Sequence, residues 1–247
     1  DIYKNLEKIL INTPEFKFLD VGCGAGWFAN SIKYHFNKIE AHGLDFNKNA
    51  LKFANEVSKI LQINTNFICQ DLFNIKFQIK FNLITSIGVL HHTENCPAAL
   101  SKLLELNSDY LMIGLYHKYG RKPFLEHFEN LKIKNSNLKK NELEELLYKK
   151  FIELDNRSDD EMHKKSWFFD QVLHPHETQH TLQELMPLIT QKNYQLISTS
   201  INKFEKFLNY KDLYEVEKKH LDISKEYLNN KKYYPGFFII FLKKKSI

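Results

Sequence analysis

Gly22, Gly24 and Gly26 stand within five residues, directly after an apolar run, in a chain that has only 8 glycines among 247 residues. Glycine lets backbone adopt unusual φ/ψ and approach a ligand with no Cβ in the way, and a turn from strand to helix at a sheet's carboxyl edge is where open α/β folds bind ligands. The spacing narrows the ligand. A dinucleotide fingerprint would need glycine at position 27, where Trp27 stands, and no Gly-Lys-Ser/Thr phosphate loop follows. What remains is DVGCGAG, residues 20–26, an acid leading a G-x-G-x-G turn. Asp45 closes the next apolar run 19 residues after Gly26, where a carboxylate can accept both hydroxyls of a ribose.

A second constellation lies at residues 176–180, HETQH, which satisfies the H-E-x-x-H pattern of zinc hydrolases. That chemistry needs both histidines on one helix face. Pro175 predicts a helix start there, which leaves His176 in a frayed first turn, so no metal is assigned. Cys23, Cys69 and Cys96 are odd in number and widely spaced, as in reduced intracellular proteins, and predict a cytoplasmic protein.

The elements that must hold these residues follow from periodicity. Candidate strands at 16–21, 39–45, 66–71, 81–87 and 109–116 alternate with candidate helices at 27–36, 47–61 and 97–107, the pattern of a parallel sheet wrapped by helices. Asn47 is placed to cap the second helix, and Pro97 begins the third. Past residue 117 the alternation stops. A helix over 138–151 carries Leu143, Leu146, Leu147 and Phe151 on one face, a linker-like stretch covers 155–161, and the aromatic and histidine cluster 167–181 follows. A helix at 176–191, a strand at 194–201, a polar helix ending near 230 and a strand at 236–242 complete the chain.

FLDVGCGAGWFA (18–29), GLDF (43–46), QDLF (70–73) and ITSIGVLHH (84–92) closely resemble the four ordered motifs of class I S-adenosylmethionine-dependent methyltransferases. The resemblance covers residues 15–116 and the two closing strands. It implies an α/β fold, a doubly wound, mostly parallel seven-stranded sheet of Rossmann-like type with a helical insertion after strand five. The expected parts are a cofactor-binding core over 1–116, a mainly helical substrate cap over 117–181, and core completion over 182–247. It also implies a cofactor site of Asp20, Gly22, Cys23, Gly24, Gly26, Asp45, Phe46, Asp71, Leu72, Ser86, Ile87 and Gly88. In it the glycines pass under the methionine portion and Asp20 holds the turn. Asp45 takes the ribose, Asp71 the adenine amino group beside the Leu72 backbone, and Ser86 to Gly88 face the sulfonium. Cys23 is a small spacer.

Methyl transfer from a sulfonium needs alignment and exclusion of water more than acid–base help. Where the acceptor carries a proton, His91 or His92 is the nearest base in sequence. Beyond strand five, Tyr116, Tyr119 and Arg121 are expected to meet substrate, with Arg121 able to fork onto an anionic group or onto an acidic helix. Trp167, Asp170, His174, His176, Glu177 and His180 are expected as a polar and aromatic lining that folds over the cofactor.

Composition excludes several classes. Hydrophobic residues at 43% and charged residues at 26% are globular proportions, and the net charge of +5 comes from lysines spread along the chain. No apolar run is long enough for a membrane helix. The acceptor is therefore expected to be a small molecule or a protein side chain. RNA and a catalytically silent cofactor-binding module are the alternatives. The chain opens on Asp1, which predicts a processed or excised piece of a longer protein.

Overall fold

The computed structural model describes Glu7, Ile9 and residues 15–155 and 157–245. The opening residues of the expected core and residue 156 of the linker-like stretch lie outside the described residues. The chain divides into two units, one of residues 1–115, 183–207 and 238–247, the other of 116–182 and 208–237.

In the first unit, β1 (Lys17–Val21), β2 (Glu40–Asp45), β3 (Thr65–Cys69), β4 (Leu83–Ile87) and β5 (Tyr110–Tyr116) alternate with α1 (Trp27–His35), α2 (Lys48–Ile60) and α3 (Cys96–Glu105). Strands buried on both faces favour apolar sequence: β5 is apolar throughout, and β1 and β4 are buried along nearly their whole length with only Asp20, Thr85 and Ser86 as buried polar residues. The Asn47 side chain accepts from the N–H groups of Asn49 and Ala50 at 3.0 and 3.2 Å and starts α2. Asn95 does the same for α3, at 2.9 Å from the Ala98 N–H. With β6 (Tyr194–Thr199) and β7 (Phe237–Lys244) the sheet has seven strands in the order β3-β2-β1-β4-β5-β7-β6. The pairs β1–β2, β1–β4, β2–β3 and β4–β5 are parallel and β6–β7 antiparallel. This is the doubly wound, mostly parallel architecture expected. The order reverses between β1 and β4, which makes the loops after those two strands the crevice of the sheet. Phe16, Phe18, Ala29, Ile39, Ala41, Leu83, Met112 and Phe241 form its buried centre.

The second unit is helical. It contains α4 (Lys118–Lys134), α5 (Lys140–Leu154), α6 (Glu161–Val172) and, from far along the chain, a longer helix at Tyr210–Asn229. Between those last two runs α7 (Leu182–Gln191), and the longer helix is α8. Leu147 and Phe151 of the expected apolar face are buried, packed with Phe124, Phe128, Leu154, Phe168 and Val172. Residues 208–237 group with the insertion rather than with the closing strands. The reason is packing: Leu228 and Tyr233 lie against the Phe124–Phe168 core. The helix expected at 176–191 starts six residues later, at Leu182. Residues 176–180 are not helical, and His180 instead makes a parallel bridge with His117.

Candidate active site

The turn after β1 is fixed by backbone bonds to the neighbouring strand. The N–H groups of Gly22 and Cys23 both reach the Leu44 carbonyl, at 2.7 and 3.0 Å, and the Gly26 N–H closes onto Cys23 O at 2.8 Å. Gly22 and Gly24 do different work. At Gly22, φ is +73° and a Cβ would lie 2.4 Å from the Val89 side chain, so this glycine is required for packing. At Gly24, φ is +52° and a Cβ would meet nothing within 4 Å. Here the missing side chain leaves open space above backbone. Gly88, after β4, is likewise open at φ +76°.

Asp45 is held from two sides. Its Oδ2 accepts from the Gly24 N–H and its Oδ1 from the Asn47 N–H, each at 2.8 Å. One lone pair of each oxygen is used and one remains, so the carboxylate is aimed without being saturated. Asp71 caps a short 3-10 turn, Leu72–Asn74, by accepting from the Phe73 N–H at 2.9 Å, and is exposed. Leu72 is buried beneath it, while Phe46, beside Asp45, is 79% exposed.

Asp20 differs from both. It is buried in the strand and its Oδ1 accepts from the Thr85 hydroxyl at 2.7 Å. Burial pushes its pKa up to about 7, Asp45 adds to the rise and the Thr85 bond opposes it. The Cys23 thiol is pushed up too, by burial and then by Asp20 and Asp45. Thr85 had no place in the sequence expectation. The strand register sets Thr85 opposite Asp20, 65 residues away, a partnership that no motif announces.

At the end of β4, Ser86 is buried, and its Oγ is without a hydrogen-bond partner among the described residues. Two residues on, Gly88 has open space around it where Ser86 is enclosed. Ile87 is half-buried. His91 and His92 follow in a 3-10 turn, Leu90–His92, with ring centroids 4.3 Å apart. They are not equivalent: His91 is 0% exposed, and His92 is half-exposed.

The second unit brings together Tyr116, Arg121, Asp170 and Glu177. The Arg121 guanidinium is 0% exposed. Its Nε and Nη2 donate to Glu177 at 3.0 and 2.7 Å, Nη1 to Gln171 Oε1 at 2.8 Å, and Nη2 also to the Gln171 carbonyl at 2.6 Å. It lies 4.3 Å from the Tyr116 ring centre and 4.7 Å from that of Phe124. The Tyr116 hydroxyl donates to Asp170 at 3.0 Å, and Tyr233 donates to Gln171 at 2.8 Å. Burial raises the pKa of both phenols, that of Tyr233 to about 12. Of the two kinds of partner expected for Arg121, an anionic ligand group or an acid of the protein itself, the guanidinium has the second, Glu177. Gln171 and Tyr233, which hold this cluster together, had no motif to reveal them.

The other expected substrate residues lie elsewhere in that unit. Tyr119 packs its ring 5.8 Å from His117, and Trp167 lies under Arg157 at 4.3 Å. The His174 Nδ1 accepts from the His176 N–H at 3.2 Å. His180 is buried, with Nε2 2.9 Å from the Thr178 hydroxyl. The H-E-x-x-H residues share no helix face, and no group of three potential ligands for a metal occurs among the described residues.

The sequence pattern of the methyltransferase-domain family matches residues 12–147. The chain belongs to this family. S-adenosylmethionine is the family's cofactor. A malonyl-[acyl-carrier protein] O-methyltransferase of Bacillus cereus is 24% identical over 115 residues, 46% of this chain and 41% of that protein. A mitochondrial ubiquinone biosynthesis O-methyltransferase of Saccharomyces cerevisiae is 28% identical over 97 residues, 38% of this chain and 30% of that one. Among solved structures, PKMT2 from Rickettsia typhi in complex with AdoHcy superposes with a TM-score of 0.66 at 15% identity, covering 95% of this chain and 49% of that chain. The chain thus spans less than half the length of each of these proteins. At such identity the structural likeness shows the fold, which is that of the family. No helix among the described residues is long and apolar enough to cross a membrane.

Proposed function

We propose that this chain is an S-adenosylmethionine-dependent methyltransferase whose acceptor is a small molecule or a protein side chain. The observation that carries the proposal is the open space above Gly24, beside a carboxylate aimed by that same residue's N–H. The cradle fits the cofactor's chemistry: Cβ-free backbone for the methionine portion, and an acidic group with two free lone pairs for a ribose diol. When bound, the cofactor supplies a sulfonium methyl and departs as a neutral thioether.

The chain's own residues bind, orient and exclude water. The Gly22–Gly26 backbone bears the methionine portion and Asp20 braces it. Asp45 accepts the ribose hydroxyls beside Phe46. Asp71 takes the adenine amino group at the Leu72 turn, and the Ile87–Gly88 backbone borders the reacting methyl. His92, the accessible member of its pair, takes a proton from a protonated acceptor, and His91 positions it from below. Residues 116–182 with 208–237 form the recognition unit. The names of the relatives, a malonyl-[acyl-carrier protein] O-methyltransferase and a ubiquinone biosynthesis O-methyltransferase, support an acceptor of this class over RNA. Three free cysteines support a reducing, cytoplasmic setting.

Calorimetric titration with S-adenosylmethionine and with its demethylated product tests the reading. Saturable binding is expected, weakened about a hundredfold by Asp45→Ala through loss of two charge-assisted hydrogen bonds. A folded sample that binds neither compound would end it.

A further inference from the structure

The sheet has a second edge that methyl transfer does not use. There the Lys244 N–H bonds the Asp109 carbonyl at 2.8 Å, which brings the end of β7 to the amino end of β5, opposite the glycine turn. A cavity of about 410 Å³ opens at this point, lined among others by Lys80, Asp109, Tyr110, Lys243, Lys244 and Lys245. Asp109 is already engaged. One oxygen pairs with Lys80, and the other accepts from Asn82 at 3.0 Å. Among the described residues no carboxylate pairs with Lys243, Lys244 or Lys245.

These ammonium groups are also positioned by more than their own flexibility. The Lys244 Nζ donates to the Lys192 carbonyl at 3.2 Å and sits 4.5 Å from the Tyr194 ring centre. Lys243 lies 5.7 Å from the ring centre of Tyr110. Lys192 itself pairs with Glu105 at 2.8 Å and so adds no carboxylate to the cavity. The Lys244 pKa is held below the usual lysine value, first by burial and then by Lys80 and Lys192. Like charges gathered in a concave, partly desolvated place raise the local concentration of anions.

We infer that this cavity is a binding site for a small polyanion, a ligand with at least two adjacent negative charges of the diphosphate kind, set at the opposite sheet edge from the methyl-transfer crevice. Lys80, Lys243, Lys244 and Lys245 border the cavity and its lining acid, Asp109, is already paired with Lys80, so a ligand with two adjacent charges matches this lining. A single carboxylate would leave most of the repulsion in place. Its volume suits a compact ligand more than an extended chain. The inference stands apart from the methyltransferase reading, because none of its residues belongs to the cofactor site.

The test uses inorganic pyrophosphate and tripolyphosphate as probes, with calorimetry and amide chemical-shift mapping on the full chain. Saturable binding below about 1 mM is expected, with shifts confined to residues around 80, 109 and 243–245. Lys243→Gln with Lys245→Gln leaves the Lys80–Asp109 pair intact and should weaken binding about tenfold at unchanged Tm. Lys52→Gln, Lys59→Gln and Lys206→Gln, exposed elsewhere on the same unit, should not. Equal weakening by both sets, or no saturation, would show unspecific charge attraction and overturn the site. A single-stranded RNA oligomer that binds the same residues at least a hundredfold tighter, with a steep salt slope, would overturn the small-ligand assignment. S-adenosylmethionine binding, measured alongside, is expected to be the same in all variants.

Discussion

At the carboxyl edge of the first unit the polar groups facing open space are turn backbone and carboxylates with lone pairs to spare. In the buried cluster of the second unit every strong donor and acceptor around Arg121 meets another side chain or carbonyl of the same unit. Both regions are rich in the residue types that do chemistry. Only the first has unmet capacity, and capacity left over, rather than residue type, separates a binding site from a brace. Four predictions would break or sharpen that contrast.

The largest effect is expected in the second unit. Glu177→Ala leaves a guanidinium with 0% exposure and no carboxylate partner, its remaining hydrogen bonds being those to Gln171, and removal of one member of a buried pair costs about 3–5 kcal/mol. Urea unfolding should show that loss. Arg121→Met combined with Glu177→Leu should recover most of it, since apolar replacement of both partners is often neutral. The contrast breaks if the Glu177 variant keeps full stability and loses turnover, because the pair would then serve a ligand.

Next come two alanine substitutions within one turn. Gly22→Ala drives a methyl into Val89 at 2.4 Å and should cost about 2–4 kcal/mol through overpacking and left-handed strain. Gly24→Ala meets no protein atom, so its stability cost should be about 1 kcal/mol, the left-handed backbone alone. Its cofactor affinity should nevertheless fall by about a hundredfold, since the methyl occupies the donor's space. Thermal denaturation and calorimetry on both variants separate the two roles. Equal stability losses would mean that Gly24 is packed in solution.

The same contrast explains what the sequence disclosed. Backbone requirements leave a trace in one dimension: three glycines at alternate positions, an acid at the end of the next strand, and Asn47 at a helix start announced the turn, Asp45 and that helix's cap. Partnerships between distant side chains leave none. Arg121 looked the same whether it met a substrate anion or Glu177, 56 residues away, and only folding decided between them. The pairing of His117 with His180 also depends on strand-like contact across the unit, and residues 176–180 are not helical despite the helix start suggested by Pro175. The placement of 208–237 was hidden for the same reason. Its helix is amphipathic by pattern, but pattern does not say which core receives its apolar face.

A third prediction concerns pH. Asp20 has a folded-state pKa raised from 3.8 to about 7, so the folded chain holds its proton more tightly than the unfolded chain does. Stability from this group is therefore fully present below pH 4, declines as pH rises, and levels off above about 7. Between pH 5 and pH 8 the loss should be on the order of 2–3 kcal/mol at 1.36 kcal/mol per unit. Asp20→Asn keeps the shape and an acceptor for Thr85, and should flatten that profile. If the wild-type curve is already flat, Asp20 is more solvated than its 5% exposure indicates.

The smallest effect separates the two histidines. His92 is half-exposed and His91 is buried in the same turn, so on the proposed reading His92 is the member placed to meet an acceptor's proton. His92→Ala should lower kcat by about tenfold, a modest share of what general-base help supplies, because the sulfonium needs little assistance. The loss should shrink as pH rises and the acceptor ionises unaided. His91→Ala should instead lower Tm, with kcat following only through the displaced His92 ring 4.3 Å away. Turnover measured by release of the demethylated cofactor, against phenols, carboxylic acids and acidic or basic peptides, gives the comparison its numbers. An unaltered kcat in both variants would remove acid–base chemistry from this turn and leave alignment above Gly88 as the whole of the chain's contribution to the step.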